Sequence, residues 1–385
     1  NSKWEGVLNA PRMIGDSISN VNVLNLYTQT LMVSTISKDW SWCDTLLNTI
    51  KDYQNEHGKD LIQSKFKINL ELLYNKIDVF SLLFKWYFFT GILMLIFCII
   101  SIFKNQSKYL LHSIKFLKYI ILFGWGLHTL GLIARWIISN HAPWTNGYEA
   151  MIYTVWATML AGIIFSKKSN LTLATTTCVS SLLLLFAFVS YLDPTITNVV
   201  PVLNSYWLMI HVSIIVASYG FLILGGFLGL LALVLMIFTN SNNKKIFNSR
   251  ISELTIINER SITVGVYMLT IGTFLGGIWA NESWGRYWGW DPKETWALVS
   301  ILVYAFILHM RFIPGLKSKW IFNTMSAFAV YSVLMTYFGV NYLLSGLHSY
   351  AAGDKVEIPM AVWISIGIVL TIVILAKIRN KKHKI

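Results

Sequence analysis

The chain has 385 residues, with 31 Lys and Arg against 18 Asp and Glu, a formal net charge of +13. Hydrophobic types make up 55 % and charged types only 13 %, about half the charged share of an ordinary soluble domain, and the mean hydropathy is +0.57. These figures exclude a soluble globular enzyme, a disordered chain and a collagen-like chain.

In chain order, residues 1–78 mix polar and apolar types and contain no signal peptide. Nine apolar runs follow, at about 79–103, 117–138, 150–166, 171–192, 207–238, 260–279, 296–315, 320–345 and 360–378. Runs of this length cross a bilayer, and a crossing segment must satisfy its own backbone polar groups, so each is predicted to be a helix. The expected fold is an all-α polytopic membrane bundle. Cys43, Cys98 and Cys178 are the only cysteines; they form no C-x-x-C pair and suggest no zinc site. No phosphate-binding glycine loop is present either.

Positive charge sets the sidedness. One alternating set of connections, with the tail, carries Lys104, Lys108, Lys115, Lys118, Lys167, Lys168, Lys244, Lys245, Arg250, Arg260, Arg311, Lys317, Lys319, Lys377, Arg379, Lys381, Lys382 and Lys384. The other set carries Arg286, Lys293 and Lys355. The rich set is cytoplasmic, so the basic balance marks topology and not nucleic acid. Residues 1–78 and the connection around Arg286 are then external, and the C-terminus is internal. An external segment of this size needs something upstream to carry it across. That is a removed signal or further membrane spans; further spans are the favoured expectation, which would make the chain the C-terminal part of a larger protein.

The external connection at 279–296 holds Trp279, Trp284, Trp288, Trp290 and Trp296, five tryptophans in 18 residues, with Gly285, Gly289, Asp291 and Pro292 among them. An aromatic belt at the headgroups explains lone residues such as Trp207 and Trp320. It does not explain this crowding. Alternating Gly and Trp exposes flat aromatic faces that suit a large planar apolar ligand. His211 opens the fifth span and His348 follows the eighth, both on the external side. The fifth span is 32 residues, roughly 48 Å of helix, against a hydrocarbon core of about 30 Å. His211 therefore stands above the core. Two imidazoles and an aromatic shelf on one side make a bis-histidine haem site.

The run Trp284-Gly-Arg-Tyr-Trp288-Gly-Trp290-Asp291 resembles the tryptophan-rich WWD signature of the haem-handling family of cytochrome c biogenesis. His128–Arg135, Ala142–Glu149 and Trp207–His211 are similar to the CcsA half of the System II cytochrome c synthases. The likeness covers about 107–385. Residues 1–78 resemble the end of a CcsB-type external region and 79–103 its last span, as in a fused CcsBA protein.

The resemblance implies a holocytochrome c synthase, or haem lyase, of the bacterial inner membrane. It would move haem b, its substrate and ligand, across the membrane and present it outside. Thioether bonds would then form to the C-x-x-C-H motif of apocytochrome c. His211 and His348 would be the external axial ligands, with Trp279, Trp284, Trp288, Trp290, Asp291 and Trp296 as the haem platform. His309 would ligate haem at an inner site, its partner being a histidine of an upstream CcsB-like region or, within this chain, His128. Haem propionates need cations near the interface; Arg135, Arg286 and Lys293 stand there, although each also fits a plain snorkelling cation. A thioredoxin-like thiol reductant, membrane lipid and apocytochrome c are the implied partners. No side chain reads as a general acid or base. Two other classes carry part of the pattern: a System I-type haem-delivery protein and a membrane b-type electron-transfer cytochrome.

Overall fold

A computed structural model describes residues 23–58, 63–103, 107–189, 192–196, 205–344, 346 and 358–383. His348, Lys104, Lys355 and Lys384 lie outside the described residues. The described elements are helical and include no strand. The chain divides into two compact units, residues 1–69 and 70–385. The boundary falls before the expected one at 78, and the span at 79–103 belongs to the larger unit.

In the first unit, α1 (Val23–Ser37) and α2 (Ser41–His57) form a hairpin. The buried Ser34 hydroxyl and Cys43 thiol meet at 3.3 Å across it. Helix α3 (Lys65–Ile77) ends where Asp78 turns left-handed at φ +45°, and α4 (Val79–Phe103) follows.

The larger unit continues with α5 (Lys108–Ser139), α6 (Gly147–Phe165), α7 (Asn170–Val189), α8 (Tyr206–Phe238), α9 (Lys244–Trp284), α10 (Pro292–His309) and α11 (Lys319–Leu334). A π-helical turn at Met335–Gly339, the short α12 (Val340–Leu343) and α13 (Met360–His383) complete it. Nine helices among the described residues are long and apolar enough to cross a membrane. The protein is a polytopic helical membrane protein.

Helix α8 is the central post, packing against α6, α7, α9, α11 and α13. It is apolar all round, as a helix surrounded by other helices must be. Large apolar side chains on other helices, such as Phe89, Phe123, Leu130 and Phe274, point outward, which suits lipid as solvent. Close approach between helices depends on missing side chains. A Cβ at Gly220 of α8 would lie 2.7 Å from the Thr158 amide nitrogen of α6. A Cβ at Gly229 would lie 2.8 Å from the Asn323 carbonyl oxygen of α11.

Helix α9 is far longer than the apolar run at 260–279. Its first part carries Lys244, Lys245, Arg250, Glu253 and Arg260, so it reads as a connection. Yet Phe247, Ile251, Leu254 and Ile257 recur at helical spacing and are all buried. The helix therefore runs on past the membrane run as an amphipathic extension. Lys108, Lys115 and Lys118 likewise lie on α5 and not in the connection before it.

Candidate functional site

Helices α8 and α9 make the most extensive helix pair in the structure. The stripe Gly265, Gly272 and Gly276 of α9 faces α8. A Cβ at Gly272 would lie 2.7 Å from Ile215 Cγ1, and one at Gly276 would press into the His211 ring. With no side chain there, the half-buried imidazole lies against the α9 backbone. Its Nδ1 stands 2.7 Å from the Gly272 carbonyl oxygen. A carbonyl only accepts, so Nδ1 carries the proton and the ring's lone pair sits on Nε2. This is the tautomer and the backbone support typical of a metal-ligating histidine.

The tryptophan loop is shorter than the expected 279–296. Helix α9 continues to Trp284 and ends at Gly285, which adopts φ +70° and donates its N–H to the Asn281 carbonyl. Helix α10 starts at Pro292, with Asp291 as its N-cap. Only residues 285–291 are loop. Trp279 is therefore not part of an open platform. It sits on α9, 1 % exposed, with its ring 4.8 Å from that of Trp284, edge to face. Trp296 lies on α10, where its carbonyl accepts from the Thr336 hydroxyl at 3.2 Å. Asp291 is a helix cap: its carboxylate accepts the Lys293 N–H at 3.2 Å.

Trp288 and Trp290 remain as the loop's aromatic pair, centroids 5.7 Å apart with ring planes at 90°. Trp290 is 71 % exposed and holds φ +57°, a left-handed conformation that costs a non-glycine residue roughly 1 kcal/mol. Arg286, exposed, folds its guanidinium over Gly289, whose Cβ position lies 2.6 Å from the Arg286 Cζ. The Tyr287 carbonyl oxygen lies 3.1 Å from the Cβ position of Gly277. Consecutive glycines of α9 thus touch the two halves of the site: Gly276 the His211 ring, Gly277 the loop. Gly346, two residues before His348, rests its backbone against the Asp291 carboxylate and Pro292. At Gly346 the chain lies beside this loop.

Arg135 serves a different purpose from the expected one. It is 1 % exposed, and its Nε donates to Glu149 Oε1 at 2.8 Å. The other nitrogens donate to the Tyr74 hydroxyl and to the Pro194 and Thr195 carbonyls at 3.3, 2.9 and 3.2 Å. The guanidinium also stacks on Tyr148. Its donors are thus committed inside the protein. The pair ties the α5–α6 turn to residues 194–195. Nearby, the Asp193 carboxyl is held below its ordinary pKa by the backbone N–H of Thr195. Trp144 extends the same clamp, its indole N–H donating to the Met209 carbonyl at 3.0 Å, on the turn of α8 that carries His211. Glu149→Gln removes the partner of a buried charge and is expected to cost about 3–5 kcal/mol. Thermal aggregation of the detergent-solubilised protein, followed by size-exclusion fluorescence, should show a clear fall in midpoint. An unchanged midpoint would mean the pair carries no load.

His309 occupies the last turn of α10, exposed, with its Nδ1 2.7 Å from the Ala305 carbonyl oxygen. The same argument as for His211 puts its lone pair on Nε2. His128 is fully buried, its Nε2 3.1 Å from the Ile152 carbonyl and its Nδ1 3.4 Å from the Tyr87 hydroxyl. The carbonyl takes the Nε2 proton and the phenol donates to Nδ1, so both nitrogens are engaged.

Sequence patterning marks Trp144 and Glu149 only as part of a segment of resemblance and gives no role to Glu294. A carboxylate and a guanidinium placed in neighbouring apolar spans would have signalled the Arg135–Glu149 pair.

Comparison with known proteins fits this site. The profile of the family described as cytochrome c assembly protein matches residues 144–348, which takes in His211, the tryptophan loop and His348. Protein NrfI of Wolinella succinogenes is 44 % identical over 311 residues, 80 % of this chain and 34 % of NrfI. Cytochrome c biogenesis protein CcsA of Prochlorococcus marinus subsp. pastoris is 36 % identical over 297 residues, 68 % of this chain and 92 % of that protein. CcsA of Prochlorococcus marinus strain MIT 9301 is 33 % identical over 310 residues, 72 % of this chain and 96 % of that protein. The chain thus spans about a third of NrfI and nearly the whole of the CcsA proteins. On the family profile and these relatives together, the chain belongs to the cytochrome c assembly protein family.

Proposed function

We propose that this chain is the haem-handling membrane part of a cytochrome c synthase. It takes haem b as substrate at an inner site that includes His309. It passes the haem to an external site ligated by His211 and His348, and presents it to apocytochrome c. One observation carries this reading most directly. The His211 imidazole is held by the Gly272 carbonyl in the tautomer that ligates iron, against the helix that leads into the tryptophan loop. The residues fit the substrate: a lone pair on Nε2 for the iron, the Trp288 and Trp290 faces for the macrocycle, and exposed Arg286 with Lys293 for the propionates.

The chemistry is addition of a thiol across a vinyl group. A sulfur–carbon bond forms, the thiol hydrogen goes to the other vinyl carbon, and no electrons are gained or lost. No acid or base is assigned to it. The protein contributes position, raising the effective concentration of substrate thiol at the vinyl, and ligation that controls iron and solvent access. A thioredoxin-like reductant would keep the C-x-x-C-H cysteines as thiols. A CcsB-like region upstream would supply the second inner ligand. On this reading residues 1–78 and the loop face the periplasm of a bacterial inner membrane, and the C-terminus faces the cytoplasm.

Co-expression with an apocytochrome, followed by a haem stain on denaturing gels, tests the reading against its two rivals. A covalent haem band on the cytochrome, dependent on this chain, is expected. Haem released only to a separate carrier would mark a delivery protein. Stable haem with reversible redox and no covalent product would mark a b-type cytochrome.

Trp288→Ala and Trp290→Ala are expected each to lower co-purified haem about tenfold, on the scale of losing one aromatic stacking partner, with membrane insertion unchanged. Pyridine haemochrome spectra normalised to protein measure this. Full haem in both variants would reduce the loop to an interfacial belt.

A further inference from the structure

We infer that Glu294 is a positioning residue for the aromatic shelf, a proposal that rests on the reading of the loop as a haem platform. In a capping box the third helical residue accepts one backbone N–H, that of the N-cap. Glu294 makes that bond, from Asp291 N to Oε2 at 3.3 Å. The same oxygen also accepts the Gly289 N–H, at 2.8 Å. The second bond is the shorter, and helix capping does not require it.

The two pinned amides flank one residue, Trp290. Two amides separated by a left-handed residue and converging on one anion form a nest, a concavity that backbone builds for anions. Here the anion is internal. The Glu294 carboxylate holds the loop on both sides of the one non-glycine residue in it that takes a positive φ. A large aromatic side chain does not choose that conformation unaided, so surrounding contacts must over-determine it. Gly289 is further constrained from its other side by the Arg286 guanidinium. The edge-to-face angle between Trp288 and Trp290 is therefore set through the backbone that the Glu294 carboxylate holds. Glu294 would act on haem through the loop's shape and not by contact.

Three substitutions separate reach from charge. Glu294→Gln keeps an oxygen at the same distance and can still accept both N–H groups. Glu294→Asp keeps the negative charge favoured at a helix N-terminus but is one methylene too short to span both. Glu294→Ala has neither. The test uses the membrane-inserted chain in lipid nanodiscs with two readouts: the rate of tryptic cleavage after the exposed Arg286, and the haem retained on purification.

The Ala and Asp variants are expected to be cut about tenfold faster than the parent, as for a loop that has lost one charge-assisted hydrogen bond. They should also lose most of their haem. The Gln variant should stay within about twofold of the parent on both readouts. Parent-like cleavage of the Asp variant would overturn the clamp, because reach would not matter. Cleavage of the Gln variant as fast as that of the Ala variant would also overturn it, because charge alone would be at work. The cleavage order needs no haem. If the parent chain binds none, the haem-site reading fails while the order of the variants still decides the clamp.

Discussion

His211→Ala is expected to reduce covalent haem attachment to the background of the stain, and His348→Ala to do the same. Added imidazole should partly restore both, by filling the vacant coordination position. The structural ground is strongest for His211, whose proton is fixed on Nδ1 by the Gly272 carbonyl at 2.7 Å. Alanine removes the ligand and leaves a space between α8 and α9 that a free imidazole can enter. A neighbouring substitution sharpens the test. Gly276→Ala keeps His211 but drives a methyl group into its ring. The ring must move off the Gly272 carbonyl, and haem retention should fall about 10–100-fold, the usual scale for losing an outer partner of a ligand. Imidazole should not rescue it, because no coordination position has been emptied. Full maturation and unchanged haem spectra in His211→Ala and His348→Ala would remove the external bis-histidine site. Rescue of Gly276→Ala by imidazole would instead show that its histidine no longer binds iron at all.

The parts of this fold that were legible are those written in long apolar runs. The fifth run, read as 207–238, is the helix Tyr206–Phe238, because a segment surrounded by other helices is apolar on nearly every face and ends where polarity begins. The amphipathic extension of α9 was not legible as membrane structure. Its Lys, Arg and Glu residues face water while Phe247, Ile251, Leu254 and Ile257 face the bundle, so its average polarity hides its period. The crowding of the tryptophan loop is legible in the sequence, but its bounds are not. Trp279 and Trp296 are helical because nothing between them and the glycine-rich turn breaks a helix; Gly285 and Pro292 do. Asp291 reads as part of a platform when its helix is unknown and as an N-cap once Pro292 is seen at the first helical position. Arg135 is the same kind of case. A cation near the interface is ambiguous until its partner is known, and Glu149 stands on the next helix.

His309→Ala is expected to empty both haem sites in cells, whereas His211→Ala should leave haem trapped at the inner one. His309 and the tryptophan loop differ in depth along a single rod. Helix α10 is continuous from Pro292 to His309, and the 13 residues from Trp296 to His309 correspond to roughly 20 Å. No side chain bridges that distance, so His309 and the tryptophan loop cannot hold the same iron at once. The structure adds two facts. The Ala305 carbonyl fixes the proton on Nδ1, giving His309 the same ligating tautomer as His211. Its imidazole is exposed on α10, whereas His128 has both nitrogens engaged inside the bundle. A second inner ligand would therefore come from outside α5, as the CcsB-like region of the proposed synthase would provide. If haem moves sequentially, the inner site must fill before the outer one, and the two variants differ in what they retain. Resonance Raman or reduced-minus-oxidised spectra of each purified variant, with imidazole added to probe open coordination positions, distinguish them. His309→Ala protein with a fully occupied bis-histidine external site would refute the sequential path and place haem entry in the outer leaflet.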